Sequence, residues 1–276
     1  MRRSPVASVV LYAAVLAVGA FSLFPFAWMA LTSIKKNSEI FTRKPVFVPS
    51  TPTLDRYAQI FADSDFTRPL LNSTIVAGTT TVLGIAVAAL AGYALARFRM
   101  PLQRYLLVLV LSVQMFPLIA LIIPLFVVMR TLDLLNTYTG LILAYLSFTI
   151  PLAVWMLRGF FRSIPSDLED AAMVDGCTRM GSLLRIVLPL AGPGIAAASI
   201  YGFISAWNEF LFALTFMSDE RMYTLPVMLQ SFVGREQSDW GAIMAASVLF
   251  TLPVIVFFLL VHKRLTQGMV QGGIKG

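Results

Sequence analysis

Apolar residues collect into six long runs, at 6–31, 70–96, 105–129, 137–161, 186–217 and 243–261, divided by short polar stretches. Each run is near or above the ~20 residues a helix needs to cross the hydrocarbon core. The pattern predicts an all-α polytopic membrane protein of about six transmembrane helices. The first run follows Arg2 and Arg3 and continues through Phe24, Phe26 and Trp28. It outlasts the ~7–15 apolar residues of a signal peptide, which predicts an uncleaved helix. Pro25, Pro117, Pro124, Pro151, Pro189, Pro193 and Pro253 lie inside or at the ends of runs, where proline kinks a helix. Gly84, Ala88, Gly92 and Ala96, and again Gly194, Ala198, Gly202 and Ala206, recur every fourth residue. That spacing predicts smooth faces for close helix–helix packing.

Composition supports the same class. Of 276 residues, 58% are hydrophobic and 13% charged, against about 45–50% and about 25% in soluble domains. A soluble enzyme, a disordered scaffold and a disulfide-stapled domain are excluded. Cys177 is the only cysteine and His262 the only histidine, so neither a metal cluster nor a catalytic couple is expected. The net charge of +7 comes from cations flanking the apolar runs, which report orientation rather than nucleic-acid binding. One side of the predicted map collects Arg2, Arg3, Arg97, Arg99, Arg104, Arg158, Arg162, Arg179, Arg185, Lys263, Arg264 and Lys275. In the short loops of the other side, acids outnumber Arg130, Arg221 and Arg235. Both termini are therefore expected in the cytoplasm, although Lys35 and Lys36 oppose that orientation. The loops at 32–69, rich in proline, and 218–240 then lie outside, and residues 1–276 form one domain.

Between the fourth and fifth runs the chain changes character. Pro165, Ser166 and Asp167 open a helix, with Glu169 and Asp170 in its first turns where the helix dipole favours acids. Ser166 or Asp167 is expected to cap it. Asp175-Gly176 reads as a turn, since glycine takes positive φ freely. Met180, Leu183, Leu184, Val187 and Leu188 then follow at helical spacing. Residues 165–189 are thus predicted to form a cytoplasmic helix–turn–helix knob.

Asp170-Ala171-Ala172-x-x-Asp175-Gly176-Cys177, then Ile186-x-Leu188-Pro189, resembles the EAA loop of binding-protein-dependent ABC importer permeases. Asp170 stands where that pattern has Glu, and Cys177 where it has Ala. Ala206-Trp207-Asn208-Glu209-Phe210, Leu134-Leu135-Asn136-Thr137-Tyr138, Leu225-Pro226-Val227 and the tail from Leu265 to Gly276 resemble the carbohydrate permeases of the maltose-transporter type. The likeness is to the smaller, six-helix member of the permease pair.

That resemblance implies a heteromeric sugar importer in a prokaryotic inner membrane, with a disaccharide or oligosaccharide such as an α-linked glucoside as cargo. Its partners would be a second permease subunit, two cytoplasmic ATPase subunits that bind ATP and Mg, and an extracytoplasmic sugar-binding protein. It implies docking of Asp170, Ala171, Ala172, Asp175, Gly176, Cys177, Leu188 and Pro189 on the ATPase. Gly268, Gly273, Lys275 and Gly276, in the tail at 262–276, would touch the ATPase as well. The chain itself contains no Gly-Lys pair, so it lacks the phosphate-cradling loop of an ATPase; a transporter subunit rather than an enzyme is expected.

Glu209 is the acidic residue inside an apolar run, where an ionisable group is costly and marks a candidate pathway. Trp207, Asn208, Gln114 and Asn72 are grouped with it as candidate pathway residues, and Ser112 has similar status. Equally, Glu209 could pair with an arginine near the interface or tie its helix to a neighbour. Asn72-Ser73-Thr74 is read as a helix cap. The loop at 218–240, with Tyr223, Phe232 and Trp240, resembles the family's loop that enters the binding protein's cleft, or is a plain connection. A permease for a non-sugar solute and an ion-coupled transporter are the rival readings.

Overall fold

The computed structural model describes residues 5–63, 66–101, 103–231 and 239–272. Among these residues the regular elements are helices. The principal ones are α1 (Pro5–Ser33), α2 (Asp55–Asp63), α3 (Thr67–Arg97), α4 (Gln103–Ser112), α5 (Leu118–Thr131), α6 (Tyr138–Ser163) and α7 (Asp167–Val174). They are followed by α8 (Arg179–Leu190), α9 (Gly192–Trp207), α10 (Leu211–Phe216), α11 (Leu225–Ser231) and α12 (Trp240–Gly272). Among the described residues four helices, α1, α3, α6 and α12, are long and apolar enough to cross a membrane unbroken, and two bent pairs bring the number to 6 where each pair counts as one span.

Both bends fall where the backbone leaves the helical region. After α4 a 3₁₀ turn reaches Met115, and Phe116 and Pro117 are extended at ψ 131° and 124°. The ring of Pro117 excludes its predecessor from the helical region, and α5 departs at 98°. Between α8 and α9 the chain turns by 78° at Ala191. Pro193, in the first turn of α9, has no amide to donate backwards. The third and fifth runs, expected as single spans, are thus broken. Proline alone does not break a helix here: Pro25, Pro151 and Pro253 sit inside α1, α6 and α12. The last helix passes the expected end at 261 and continues to Gly272.

The chain divides into two compact units. The larger, residues 67–228 and 253–276, is built on α3, α6 and α9. The small-residue stripes are its seams. A Cβ on Gly92 would lie 3.1 Å from the Arg158 amide nitrogen and 3.2 Å from the Val154 carbonyl oxygen, and one on Gly194 would overlap the Phe160 ring. Ala88, Leu157, Phe161, Leu183, Val187 and Ala198 form the buried core beside them. Phe257 of α12 stacks on Phe203 of α9 with centroids 4.1 Å apart.

In the smaller unit, residues 1–66 and 229–252, most of α1 is exposed apolar surface, the face a membrane helix offers to lipid or to another subunit. The loop after α1 is held by Arg56, whose buried guanidinium donates to the Ser33, Lys35 and Asn37 oxygens. The same group pairs with Asp239 at 3.6 Å. Lys35, a cation that opposed the expected orientation, is 2% exposed with its ammonium 4.1 Å from the Trp28 ring centroid. The Ser50 hydroxyl and amide both donate to Glu39, which holds its carboxyl below the ordinary value.

Candidate functional site

The segment between α6 and α9 is a helix–turn–helix, as its sequence predicts. The Ala171, Met173 and Ala172 carbonyls accept from the amides of Asp175, Gly176 and Cys177, and Gly176 sits at φ +89°. That left-handed conformation favours glycine. Thr178 caps α8 by accepting from the Gly181 amide at 3.1 Å, whereas Ser166 precedes α7 with no side-chain cap bond.

Exposure divides the motif. Asp170, Ala171, Asp175, Gly176 and Pro189 are exposed, Cys177 and Leu188 half-buried, and Ala172 buried. Neighbours on a helix point ~100° apart, and here Ala171 faces solvent while Ala172 faces the core. Leu168, Val174, Met180 and Leu184 are exposed as well, giving the knob an apolar skin beside its acids.

Glu169, beside the motif, faces inward and is 5% exposed. It forms an ion pair with Arg97 at the end of α3. Tyr93 Oη donates to its other carboxylate oxygen at 2.6 Å, and Arg97 Nη2 donates to the Ile164 carbonyl at 2.9 Å. A buried carboxylate is tolerable only when paired and hydrogen-bonded. In the sequence Arg97 reads as an orientation signal and Glu169 as an acid placed for the helix dipole. A cation ending an apolar helix was the available signal that α7 had a partner there.

Three of the candidate pathway residues meet. Gln114, Asn208 and Glu209 line an open cavity of about 480 Å³ with Phe116, Phe148 and Tyr201. Glu209 accepts from the Phe212 and Ala213 amides at 2.9 and 3.2 Å. Its charge is therefore met by the free N–H groups opening α10. Gln114 Nε2 donates to the Phe148 carbonyl at 2.6 Å, next to the Ser147 carbonyl that Pro151, lacking an N–H, leaves without its i+4 donor.

Trp207 and Asn72 lie elsewhere. Trp207 is 1% exposed and stacks on Phe203 at 5.5 Å, so its ring is committed to the core. Asn72 is not a cap, because α3 begins at Thr67. Its Nδ2 donates to the Arg221 and Tyr223 carbonyls at 2.9 and 2.8 Å, and its Oδ1 accepts from Tyr138 Oη at 2.6 Å. Ser73 accepts from the Leu225 amide at 2.7 Å. Asn136, at φ +58°, accepts from the Ser218 and Asp219 amides. Residues 218–225 are thereby fastened to α3 and to the turn before α6. Ser112 Oγ donates back to the Leu109 carbonyl of its own helix at 2.7 Å. Of the tail residues, Gly268 belongs to α12, while Gly273, Lys275 and Gly276, like Phe232 of the 218–240 loop, fall outside the described residues.

Comparison with known proteins agrees with this architecture. Residues 69–271 match the family described as binding-protein-dependent transport system inner membrane component. The sulfoquinovosyl glycerol transport system permease protein SmoH of Agrobacterium fabrum is 43% identical over 254 residues, covering 92% of this chain and 89% of that protein. The trehalose transport system permease protein SugB of Mycobacterium tuberculosis is 39% identical, with 93% of each chain covered. The trehalose/maltose transport system permease protein MalG of Thermococcus litoralis is 35% identical over the full length of both chains. A crystal structure of a bacterial ABC transporter that imports the acidic polysaccharide alginate contains a chain of the same fold, at TM-score 0.80 and 23% identity, with 95% and 99% of the two chains covered. This chain belongs to the binding-protein-dependent transport system inner membrane component family and is a multi-pass permease subunit of an ABC importer.

Proposed function

We propose that this permease forms half of the translocation pathway of an ATP-driven sugar importer, with a disaccharide or oligosaccharide such as an α-linked glucoside as cargo. The observation that carries the reading is the shared chemistry of its full-length relatives: at 43%, 39% and 35% identity they are named for a glycosyl glycerol, trehalose and trehalose/maltose. The cavity suits such a cargo. Gln114, Asn208 and Glu209 offer donors and acceptors beside the rings of Phe116, Phe148 and Tyr201, and an oriented sugar needs both polar groups and apolar walls.

Energy enters from outside the chain. A second permease completes the pathway, an extracytoplasmic binding protein delivers the sugar, and two cytoplasmic ATPase subunits bind ATP and Mg. Both termini and the 165–189 knob lie in the cytoplasm, where the exposed Asp170, Ala171, Asp175 and Gly176 meet the ATPase. Nucleotide binding moves the knob, and the cavity alternates between inward- and outward-facing states because ligand and nucleotide bind those states unequally.

The test is uptake of labelled trehalose or maltose by vesicles containing the reconstituted complex. Uptake is expected to need ATP, the binding protein and the knob. Gly176→Pro, which cannot hold φ +89°, should leave the chain in the membrane but release the ATPase and abolish uptake. Accumulation by this chain alone, or full uptake by the Gly176→Pro complex, overturns the reading. Orientation has its own measurement. A membrane-impermeant maleimide should label Cys177, the only cysteine, in inverted vesicles and not in spheroplasts; the reverse result refutes a cytoplasmic knob.

A further inference from the structure

Helix α3 carries a polar clasp at each end. Near its C-terminus Tyr93 and Arg97 hold Glu169 of the knob. Near its N-terminus Asn72 and Ser73 hold the backbone of Arg221, Tyr223 and Leu225. At about 1.5 Å per residue the stretch from Asn72 to Tyr93 is about 32 Å long, close to the ~30 Å of the hydrocarbon core. That stretch contains no proline, the only one in α3 being Pro69 in its first turn. By contrast α6, the other helix touching both regions, carries Pro151 in its middle, where one backbone hydrogen bond is missing. Gly84 and Gly92 also seat α3 closely on α6, which leaves it little room to bend.

We infer that α3 is a rigid rod whose two clasps connect the knob on one membrane face to the 218–225 loop on the other. Displacement of the knob by an ATPase is delivered to the outer loop through Glu169, Arg97 and Tyr93, and a partner seated on the outer loop biases the knob by the same route. Tyr93, Arg97, Glu169 and Tyr138 are positioning residues, since none is required to touch sugar or nucleotide. The inference rests on the proposed docking of the knob to an ATPase.

The experiment uses the complete reconstituted complex and reads the ratio of ATPase rate with sugar-loaded binding protein to the rate without it, at matched ATPase content. Tyr93→Phe removes the hydroxyl that donates to Glu169, and Tyr138→Phe the one that donates to Asn72. A bond to a charged group is worth more than a neutral one, so the ratio should fall about tenfold and about fivefold respectively. Because one rod serves both ends, the double variant should fall no further than Tyr93→Phe alone. Independent effects would multiply to about fiftyfold. That product, or an unchanged ratio in both single variants, overturns the inference. Should Tyr93→Phe fail to assemble, Arg97→Lys takes its place in the same cycle, keeping the charge while losing the bond to Ile164. A native complex whose ATPase ignores the loaded binding protein refutes the coupling reading and this inference together. With native stimulation intact, only the rod is at stake.

Discussion

The two ends of α3 are fastened by opposite chemistry. At the Arg97 end the fastening is an ion pair whose side chains are 11% and 6% exposed, completed by a tyrosine hydroxyl. At the Asn72 end it is a neutral amide shared among two backbone carbonyls and a second tyrosine, with the exposed Arg68 guanidinium donating to one of those carbonyls at 3.2 Å. A desolvated charge cannot leave its partner without a cost of several kcal/mol, whereas an amide exchanges backbone partners for water at little net cost. The difference teaches that the 165–189 knob is held in one register while the 218–225 loop can let go.

Glu169→Ala tests the strong end and should have the largest effect. It leaves the Arg97 guanidinium buried and unpaired, and thermal unfolding of the purified complex should show a loss of about 3–5 kcal/mol. Removing Arg97 as well should recover part of that loss, since no charge is then stranded. A Glu169→Ala cost below about 1 kcal/mol would place the carboxylate in contact with water and dissolve the contrast. Asn72→Ala addresses the weak end. It strands the Tyr138 hydroxyl and two carbonyls that water can reach, and should cost about 1–2 kcal/mol, measured in the same way. Equal costs for the two alanine variants would erase the asymmetry.

Much of this was legible in the sequence because it is local. Runs long enough to cross a membrane, glycine where φ must be positive, and small residues every fourth position each act within a few turns of chain. The clasps were not legible, because Glu169 finds Arg97 and Tyr93 across 72 and 76 residues. A motif aligned through Asp170 and Ala171 identifies a turn but says nothing of which side of α7 turns inward. The bends were hidden for a related reason. Pro117 stands at a helix break and Pro151 within a helix, and the sequence around each proline does not say which distant groups, such as the Gln114 amide on the Phe148 carbonyl, will pack against it. Glu209 shows the same limit, since its partners belong to a short helix that an uninterrupted apolar run conceals.

The smallest effect belongs to Asn136, and it separates two things that the outer fastening combines. Its backbone sits at φ +58°, and its side chain accepts from the Ser218 and Asp219 amides. Asn136→Gly keeps the conformation and removes the acceptor; Asn136→Ala removes the acceptor and adds left-handed strain of about 1 kcal/mol. If the side chain fastens the loop, proteolysis of the 218–225 region should quicken in both variants, while the loss of thermal stability should be about 1 kcal/mol larger for alanine. Equal proteolysis of Asn136→Gly and the native chain would mean that Arg68, Asn72 and Ser73 hold the loop without help from Asn136. The turn before α6 would then add nothing to the grip on residues 218–225, and release of the Asn72 end of α3 would free the loop.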